Sequence, residues 1–460
     1  MMNTDLQPRN MRTFLVIWIG QVISIIGSGL TSFALGVWIY QQTGQATPFA
    51  ITVLFGTLPR ILLTPLAGSL ADRWNRRWLM ILADTGNALV TLAVVFLVMS
   101  DSLRIWNIYL VALAGSLFAA FQEPAYTASI TMLVPKKDLA RASGLMQVAQ
   151  SMEMLIAPLL AGILFGVIGL RGIVLIDFLT YFFAVGALLI VRIPQPPLTS
   201  QIEQDGRGKI WRDALFGWQY LRQRRGLFNL LVYFALVNFL LNLASVLTGP
   251  LVLSFSTPAV LGAVQTATGF GMLTGSLVLG VWGGPKRRIF GVLGFIGLGS
   301  VAVLAIGLRA NPFWIATGFF VFLFSVPIAS GLSQAIFQTK VAPDVQGRVF
   351  AIRSLISRSI MPLAFLLAGP LADQVFEPLM RPGGVLAEGL PGMLIGAGAG
   401  RGIGLMFVIS GILLMVATAF AFLNPRIRNL ENELPDAIPD KLLAEQFVEE
   451  GETMAVLAED

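Results

Sequence analysis

Residues 13–59 read TFLVIWIGQVISIIGSGLTSFALGVWIYQQTGQATPFAITVLFGTLP, and none of them is charged. A helix needs about 20 apolar residues to cross the hydrocarbon of a bilayer. The run therefore holds two spans, broken at Thr43-Gly44-Gln45-Ala46-Thr47-Pro48. Residues 226–285 form a second uncharged run, with its turn near Ser254–Pro258. Applied to the whole chain, the same reading predicts twelve helices near 13–41, 48–71, 78–100, 105–133, 139–168, 172–192, 227–255, 258–283, 288–308, 311–339, 345–373 and 401–424.

Composition agrees. The 460 residues are 56% apolar and 12% charged, with a mean hydropathy of +0.78, whereas soluble domains carry about 25% charged residues. There is no Cys and no His, which removes disulfide scaffolds, thiolate or imidazole metal sites, and triads or proton relays built on histidine. The net charge of +6 is explained by topology. Segments on one side of the spans hold 23 of the 31 Lys and Arg residues and those on the other hold 5, so the positive-inside rule places both termini in the cytoplasm. A nucleic-acid footprint is then unnecessary.

The chain divides into a six-helix bundle over 1–192, a cytoplasmic linker over 193–226, a second bundle over 227–424 and an acidic tail over 425–460. The linker sets Ile210, Trp211, Ala214, Leu215, Trp218 and Leu221 on one helical face, a pattern suited to a helix lying on the inner leaflet. Residues 374–400 form a Gly- and Pro-rich outer insertion, and the tail is expected to be flexible apart from one short helix. The bundles share landmarks: Val134-Pro135 and Ala342-Pro343 are 208 residues apart, Arg76-Arg77 and Arg287-Arg288 are 211 apart, and Leu-Ala-Gly recurs at 160–162 and 367–369. Such offsets argue for an internal repeat, the architecture in which cargo sits near the midplane between halves that rock against each other. The fold class is thus all-α integral membrane, twelve transmembrane helices in two pseudo-repeats.

The loop between spans two and three reads Gly68-Ser69-Leu70-Ala71-Asp72-Arg73-Trp74-Asn75-Arg76-Arg77. It resembles the major facilitator signature G-x-L-A-D-R-x-G-R-R, with Asn75 in a Gly position. Ala120-Phe121-Gln122-Glu123-Pro124-Ala125, Leu133-Val134-Pro135, Ile176-Asp177 and Gly347-Arg348-Val349-Phe350 resemble the macrolide-efflux and enterobactin-exporter branch of that superfamily. Ala157-Pro158-Leu159-Leu160-Ala161-Gly162 resembles the antiporter motif G-P-x-x-G-G, with Ala157 and Ala161 in Gly positions. The resemblance implies proton-coupled export of bulky amphipathic compounds, drug-like, macrolide-like or siderophore-like, from a bacterial inner membrane. It also implies a gating network built from Gly68, Asp72, Arg73, Arg76, Arg77 and Arg348. Asp84, near the inner end of span three, is expected to join it.

A charge at the bilayer centre costs roughly 3 kcal/mol on insertion scales, so the acids inside spans need a reason. Glu153 or Glu123 is expected to carry a coupling proton, neutral when buried and ionised when wet, or else to form a fixed ion pair with Arg60, Arg353 or Arg358. Asp177, toward the outer end of span six, is a third candidate, or serves only to cap or pair. Neutral polar stripes at helical spacing are Gln21 and Ser24 with Ser28 and Thr31 on span one, Asn238 and Asn242 on span seven, and Ser330 and Gln334 on span ten. Phe121, Gln122 and Tyr126 stand on span four. These residues line a wet cavity or serve as contacts between helices.

No Walker motif is present, no nucleophile–base pair or metal set is visible, and no cofactor is called for. The chain therefore reads as a secondary transporter and not an enzyme, with lipid, cargo and protons as its partners and no nucleotide or nucleic acid. One charge falling through 100 mV supplies about 2.3 kcal/mol, a solute gradient of roughly fiftyfold. An importer or lipid flippase on the same fold, or a membrane sensor or scaffold, are the alternatives.

Overall fold

In hydrocarbon a backbone N–H or C=O has no water to turn to, so a spanning segment satisfies itself as a helix. The computed structural model describes residues 11–135, 138–191 and 216–437, and all regular structure among them is helical. Six long helices come first: α1 (Met11–Thr43), α2 (Ala46–Arg73), α3 (Arg76–Met99), α4 (Ile105–Leu133), α5 (Leu139–Val167) and α6 (Gly169–Ile190). A short helix α7 over 216–223 follows. Then come α8 (Arg225–Val246), α9 (Thr248–Leu253), α10 (Pro258–Trp282), α11 (Arg288–Leu308), α12 (Pro312–Lys340) and α13 (Pro343–Pro370). The rest are α14 (Glu377–Met380), α15 (Leu390–Ile395), α16 (Arg401–Leu423), α17 (Pro425–Arg428) and α18 (Leu430–Glu433). Among the described residues, twelve segments are long and apolar enough to cross a membrane.

Local chemistry sets the breaks. Asn75, Thr257 and Asn311 accept the N–H three residues on, at the starts of α3, α10 and α12, with Pro258 and Pro312 pre-set for the first helical position. Asn75, where the signature has Gly, is thus a helix cap. Gly44 and Gly169 take φ of 62° and 64° at the α1–α2 and α5–α6 turns, which a side chain would resist.

Packing repeats between the two sets. In the first, α1 packs on α5 and α6, α3 on α4 and α6, and α2 on α4. In the second, α8 packs on α13 and α16, α11 on α12 and α16, and α10 on α12. These are the same pairings by position, so the repeat read from sequence landmarks is present in the contacts. Large apolar side chains such as Ile190, Val281 and Phe313 point outward, where lipid replaces protein as their partner.

Four expectations change. Span seven is two helices, α8 and α9, because Pro250 has no N–H to donate back to Val246. Span eleven runs beyond 373: a widened π-helical turn, Leu371–Phe376, carries it into α14, and part of the expected insertion is thereby helical. In the linker, Ile210, Trp211, Ala214 and Leu215 lie outside the described residues. The described turn docks on protein, with Leu221 buried in the second set's core, Gly217 against the Arg348 carbonyl and Trp218 edge-on to Phe228. The start of the tail is tied down as well. Lys340 Nζ donates to the carbonyls of Glu431 and Leu434 and pairs with Asp436 at 2.8 Å, while the Glu431 carboxylate accepts from the N–H groups of Arg288 and Ile289, the start of α11.

The two sets meet toward one end. There Phe49 lies against Gly249, Val37, Ala46, Ala50 and Leu54 join the second set's apolar core, and α5 presses on α10. A methyl on Gly262 would fall 2.3 Å from the Pro158 carbonyl oxygen, and one on Gly162 2.7 Å from that of Pro258, so glycine is what permits this backbone-to-backbone contact. The seam is closed by a charge. Gln45 offers the start of α2 no side-chain cap, and Asp373, from the π-turn of the other set, accepts from the N–H groups of Ala46 at 2.9 Å and Thr47 at 2.7 Å. A carboxylate at a helix N-terminus satisfies orphan donors and complements the helix dipole. At the other end, which carries Met11, the α2–α3 turn and Ala437, the first set has an apolar cluster of its own (Phe14, Ile17, Met80, Leu188). It is called the basic end below.

Losing a capping side chain to Ala costs about 1 kcal/mol, or about fivefold in an equilibrium. Asp373→Ala is expected to raise the population open at the sealed end about fivefold, seen as longer distances between spin labels at Ser102 and Asn311. Unchanged distances would mean that the cap does not hold the seam.

Candidate functional site

On the basic side of the seal the first set encloses a cavity of about 240 Å³. Its walls come from α1 to α5. Gln21, Ser24 and Ser28 of α1 face Asp84 and Asn87 of α3, with Arg60 of α2, Gln122, Glu123 and Tyr126 of α4, and Met146, Gln150 and Glu153 of α5 completing the lining. Trp18 Nε1 donates to the Leu145 carbonyl at 2.9 Å and fastens α1 to α5 at the cavity's edge.

The acids sit in different surroundings. Glu123 Oε2 accepts from Arg60 Nη2 at 2.6 Å and Nε at 3.0 Å, and both side chains are half exposed, 51% for Arg60 and 53% for Glu123. The ion-pair reading therefore holds for Glu123, with Arg60 as its cation. Glu153 is exposed to the cavity. It stands one turn before Ala157, whose methyl meets the position a side chain on Gly29 would take. The antiporter-like stretch thus keeps α1 and α5 close with Gly on one helix and Ala on the other. Asp177 is buried and does not line the cavity: it accepts from Ser28 Oγ at 3.3 Å and Thr91 Oγ1 at 3.4 Å, joining α1, α3 and α6. Asp84, 9% exposed, accepts from Gln21 Nε2 at 2.9 Å, and Gln21 Oε1 accepts from Gln122 Nε2 at 2.7 Å.

That last chain ties Asp84 to α1 and, through Gln21, to α4, two turns deeper along α3 than the loop that carries the gating motif. In the network itself, Arg76 Nη1 donates to the Ala128 carbonyl at 2.8 Å, and Arg77 donates to the carbonyls of Leu188 and Leu189, clipping the start of α3 to the end of α6. Arg348 lies 5.1 Å from the Phe216 ring centroid. Gly68, Asp72 and Arg73 lie on α2, and the side chains of Asp72 and Arg73 lie outside what the structure describes.

Among the cavity candidates, Gln21, Ser24, Gln122 and Tyr126 line it, and Phe121 does not: it packs against the apolar cluster of the basic end. Asn238 and Asn242 each donate to the carbonyl four residues back on α8, so their amides are engaged by their own helix. Gln334 accepts from Arg353 Nη1 at 2.7 Å, Ser333 accepts from Nη2 at 3.1 Å, and the guanidinium lies 4.6 Å from the Phe337 centroid. Arg353 is thus held by neutral groups and an aromatic face, not by an acid of the first set. Ser330 is exposed. Arg60, Asn87, Met146 and Gln150 were not expected as lining residues. Met146, Gln150 and Glu153 at i, i+4 and i+7 carry a signal in the sequence, a polar stripe on α5 that lies on one face.

A half-exposed pair is screened by solvent and contributes about 0–1 kcal/mol. A double-mutant cycle on Arg60→Gln and Glu123→Gln, read by reversible unfolding in detergent, is expected to give a coupling within that range. Several kcal/mol would mean that the pair is sealed from water.

The family model described as Major Facilitator Superfamily matches residues 17–366. Macrolide efflux protein A of Streptococcus pyogenes is 30% identical over 371 residues, covering 79% of this chain and 90% of that protein. The multidrug efflux pump Tap of Mycolicibacterium fortuitum is 25% identical over 355 residues, covering 75% and 86%. Among solved structures, a bacterial homologue of the human lysosomal transporter Spinster, inward-facing and unoccupied, aligns with a TM-score of 0.68 at 16% identity over 93% of this chain and 99% of that one, a likeness of fold. The chain belongs to the Major Facilitator Superfamily, beside its efflux proteins, and is a multi-pass membrane transporter.

Proposed function

We propose that this transporter exports bulky amphipathic molecules from the bacterial cytoplasm in exchange for protons, with its basic end facing inward. The observation that carries the reading is the cavity's position. It lies between a seam closed by Asp373 and the glycine contacts of α5 and α10 and the end that holds most of the Lys and Arg residues. The positive-inside rule makes that end cytoplasmic, so cargo enters from the cell interior in the state seen here.

The lining suits the cargo class. Amides and hydroxyls supply adaptable hydrogen bonds, Trp18 and Tyr126 supply flat apolar area, and Glu153 offers a negative charge to a cationic amine. The efflux relatives carry macrolide and multidrug in their names, which supports the same class. The two six-helix sets, 1–192 and 227–424, act as the units that rock, the linker 193–226 joins them and the tail 425–460 belongs to the cytoplasmic face. Ion exchange supplies the energy, because no nucleotide motif is present.

Inverted membrane vesicles containing the protein test this. With an acid lumen, ethidium or a macrolide such as erythromycin is expected to accumulate several-fold over vesicles treated with a protonophore. Equal levels with and without the gradient would overturn proton exchange, and accumulation only in right-side-out vesicles would overturn export.

A further inference from the structure

Among the described residues, the first set's membrane spans hold four acids, Asp84, Glu123, Glu153 and Asp177, and their surroundings rank them for one task. A proton carrier must be held in a dry site when neutral, must reach water in order to ionise, and must not have a resident cation that stabilises its anion throughout the cycle. Glu123 has such a cation in Arg60. Glu153 is exposed to the cavity in this state and is not among the buried acids. Asp177 is buried but lies outside the cavity lining, knitted to Ser28 and Thr91. Asp84 is both buried and part of the cavity wall, and the hydrogen bond it accepts comes from the neutral amide of Gln21.

We infer that Asp84 is the carboxyl that binds and releases the transported proton, and that Gln21 and Gln122 carry its protonation state to the cavity. The inference rests on the proton-exchange reading above and names the group that performs it. A Gln side chain donates on one side and accepts on the other. With Asp84 ionised, Gln21 donates to it and so presents its own oxygen to Gln122, the arrangement seen here. With Asp84 protonated on the facing oxygen, Gln21 turns its carbonyl to the acid, and its NH₂ then opposes that of Gln122, which must let go. The link from α1 to α4, across the cavity wall beside Arg60 and Glu123, is thereby made in one protonation state and broken in the other. The step is a proton transfer alone: the carboxyl takes a proton from water when the cavity opens at the sealed end and returns it to water when the cavity opens at the basic end.

Other charged and titratable groups face this site. Tyr126 and Glu123 stand on α4, and the buried Tyr126 hydroxyl finds no hydrogen-bond partner among the described residues. Arg60 stands on α2 and Glu153 on α5. Asp177 and Tyr181 stand on α6, the latter bonded to Thr85 beside Asp84. Arg76 and Arg77 begin the same helix two turns away. Arg60 is committed to Glu123 at 2.6 Å, Arg76 to the Ala128 carbonyl and Arg77 to the end of α6, so these cations are engaged elsewhere.

Two readouts test this, both on full-length protein in lipid. In infrared difference spectra taken across a pH titration, the wild-type protein is expected to show a protonated-carboxyl band that is absent in Asp84→Asn, is displaced in Asp84→Glu, which keeps a titratable group if the Asn variant folds poorly, and persists in Glu153→Gln and Asp177→Asn. Persistence in Asp84→Asn, or loss in Glu153→Gln or Asp177→Asn, overturns the assignment. In proteoliposomes with an imposed pH gradient, Asp84→Asn is expected to lose uphill ethidium accumulation at least tenfold. If wild type and Asp84→Asn accumulate alike, Asp84 is not the carrier and proton exchange stands. If the wild type ignores the gradient while the band still depends on Asp84, proton exchange fails and Asp84 remains a proton site.

Discussion

The structure depends on how the two six-helix sets hold each other at the sealed end. Helix N-termini carry unpaired N–H groups that lipid cannot satisfy, and this chain answers with carboxylates brought from elsewhere. Asp373 serves α2 across the seam, Glu377 serves α16 through the N–H groups of Gly400 and Ile403, and Glu431 serves α11 from the tail. The second and third hold one set together internally, whereas the first joins two sets. It is a contact that must break whenever the seam opens, and a cap of about 1 kcal/mol is strong enough to bias that opening and weak enough to permit it. At the basic end the first set's apolar cluster holds, among the described residues, none from the second set.

Within the spans the same economy of charge applies. A buried ion without a partner is costly, so Glu123 has Arg60, Arg353 has Gln334, Ser333 and Phe337, and Asp177 has hydroxyls. Asp84 has an amide. Of the two acids buried among the described residues, Asp84 and Asp177, Asp84 is the one in the wall of the chamber, at the junction of α1, α3 and α4.

Much of this was legible in the sequence. The uncharged run at 13–59, the bias of Lys and Arg to one side and the recurring Pro, Arg and Leu-Ala-Gly landmarks specify twelve spans and two repeats, because hydrocarbon enforces those patterns residue by residue. Gln21, Ser24, Gln122 and Tyr126 were legible as cavity residues from helical spacing. Asn238 and Asn242 share that spacing, and sequence does not reveal that their amides fold back on α8. Phe121 likewise shows nothing locally that sends it into the core. Asp84 was assigned by its closeness to Arg76 and Arg77 along the chain, while its partner Gln21 comes from α1, 63 residues away, and is held in turn by Gln122 of α4. Asp373 was hidden for the same reason: the donors it meets lie 326 and 327 residues off, and only the folded repeat brings them together.

The central claim is that transport requires the seam between α2 and α13 to open and close. The chain has no native Cys, so Ser102→Cys on the first set and Ala310→Cys on the second, joined by a reducible bifunctional thiol reagent, provide a staple across the sealed end free of competing thiols. With the crosslink in place, this variant is expected to bind ethidium from the basic end and to transport none, with transport restored by reducing agent. Undiminished transport with the crosslink demonstrably intact would contradict the account.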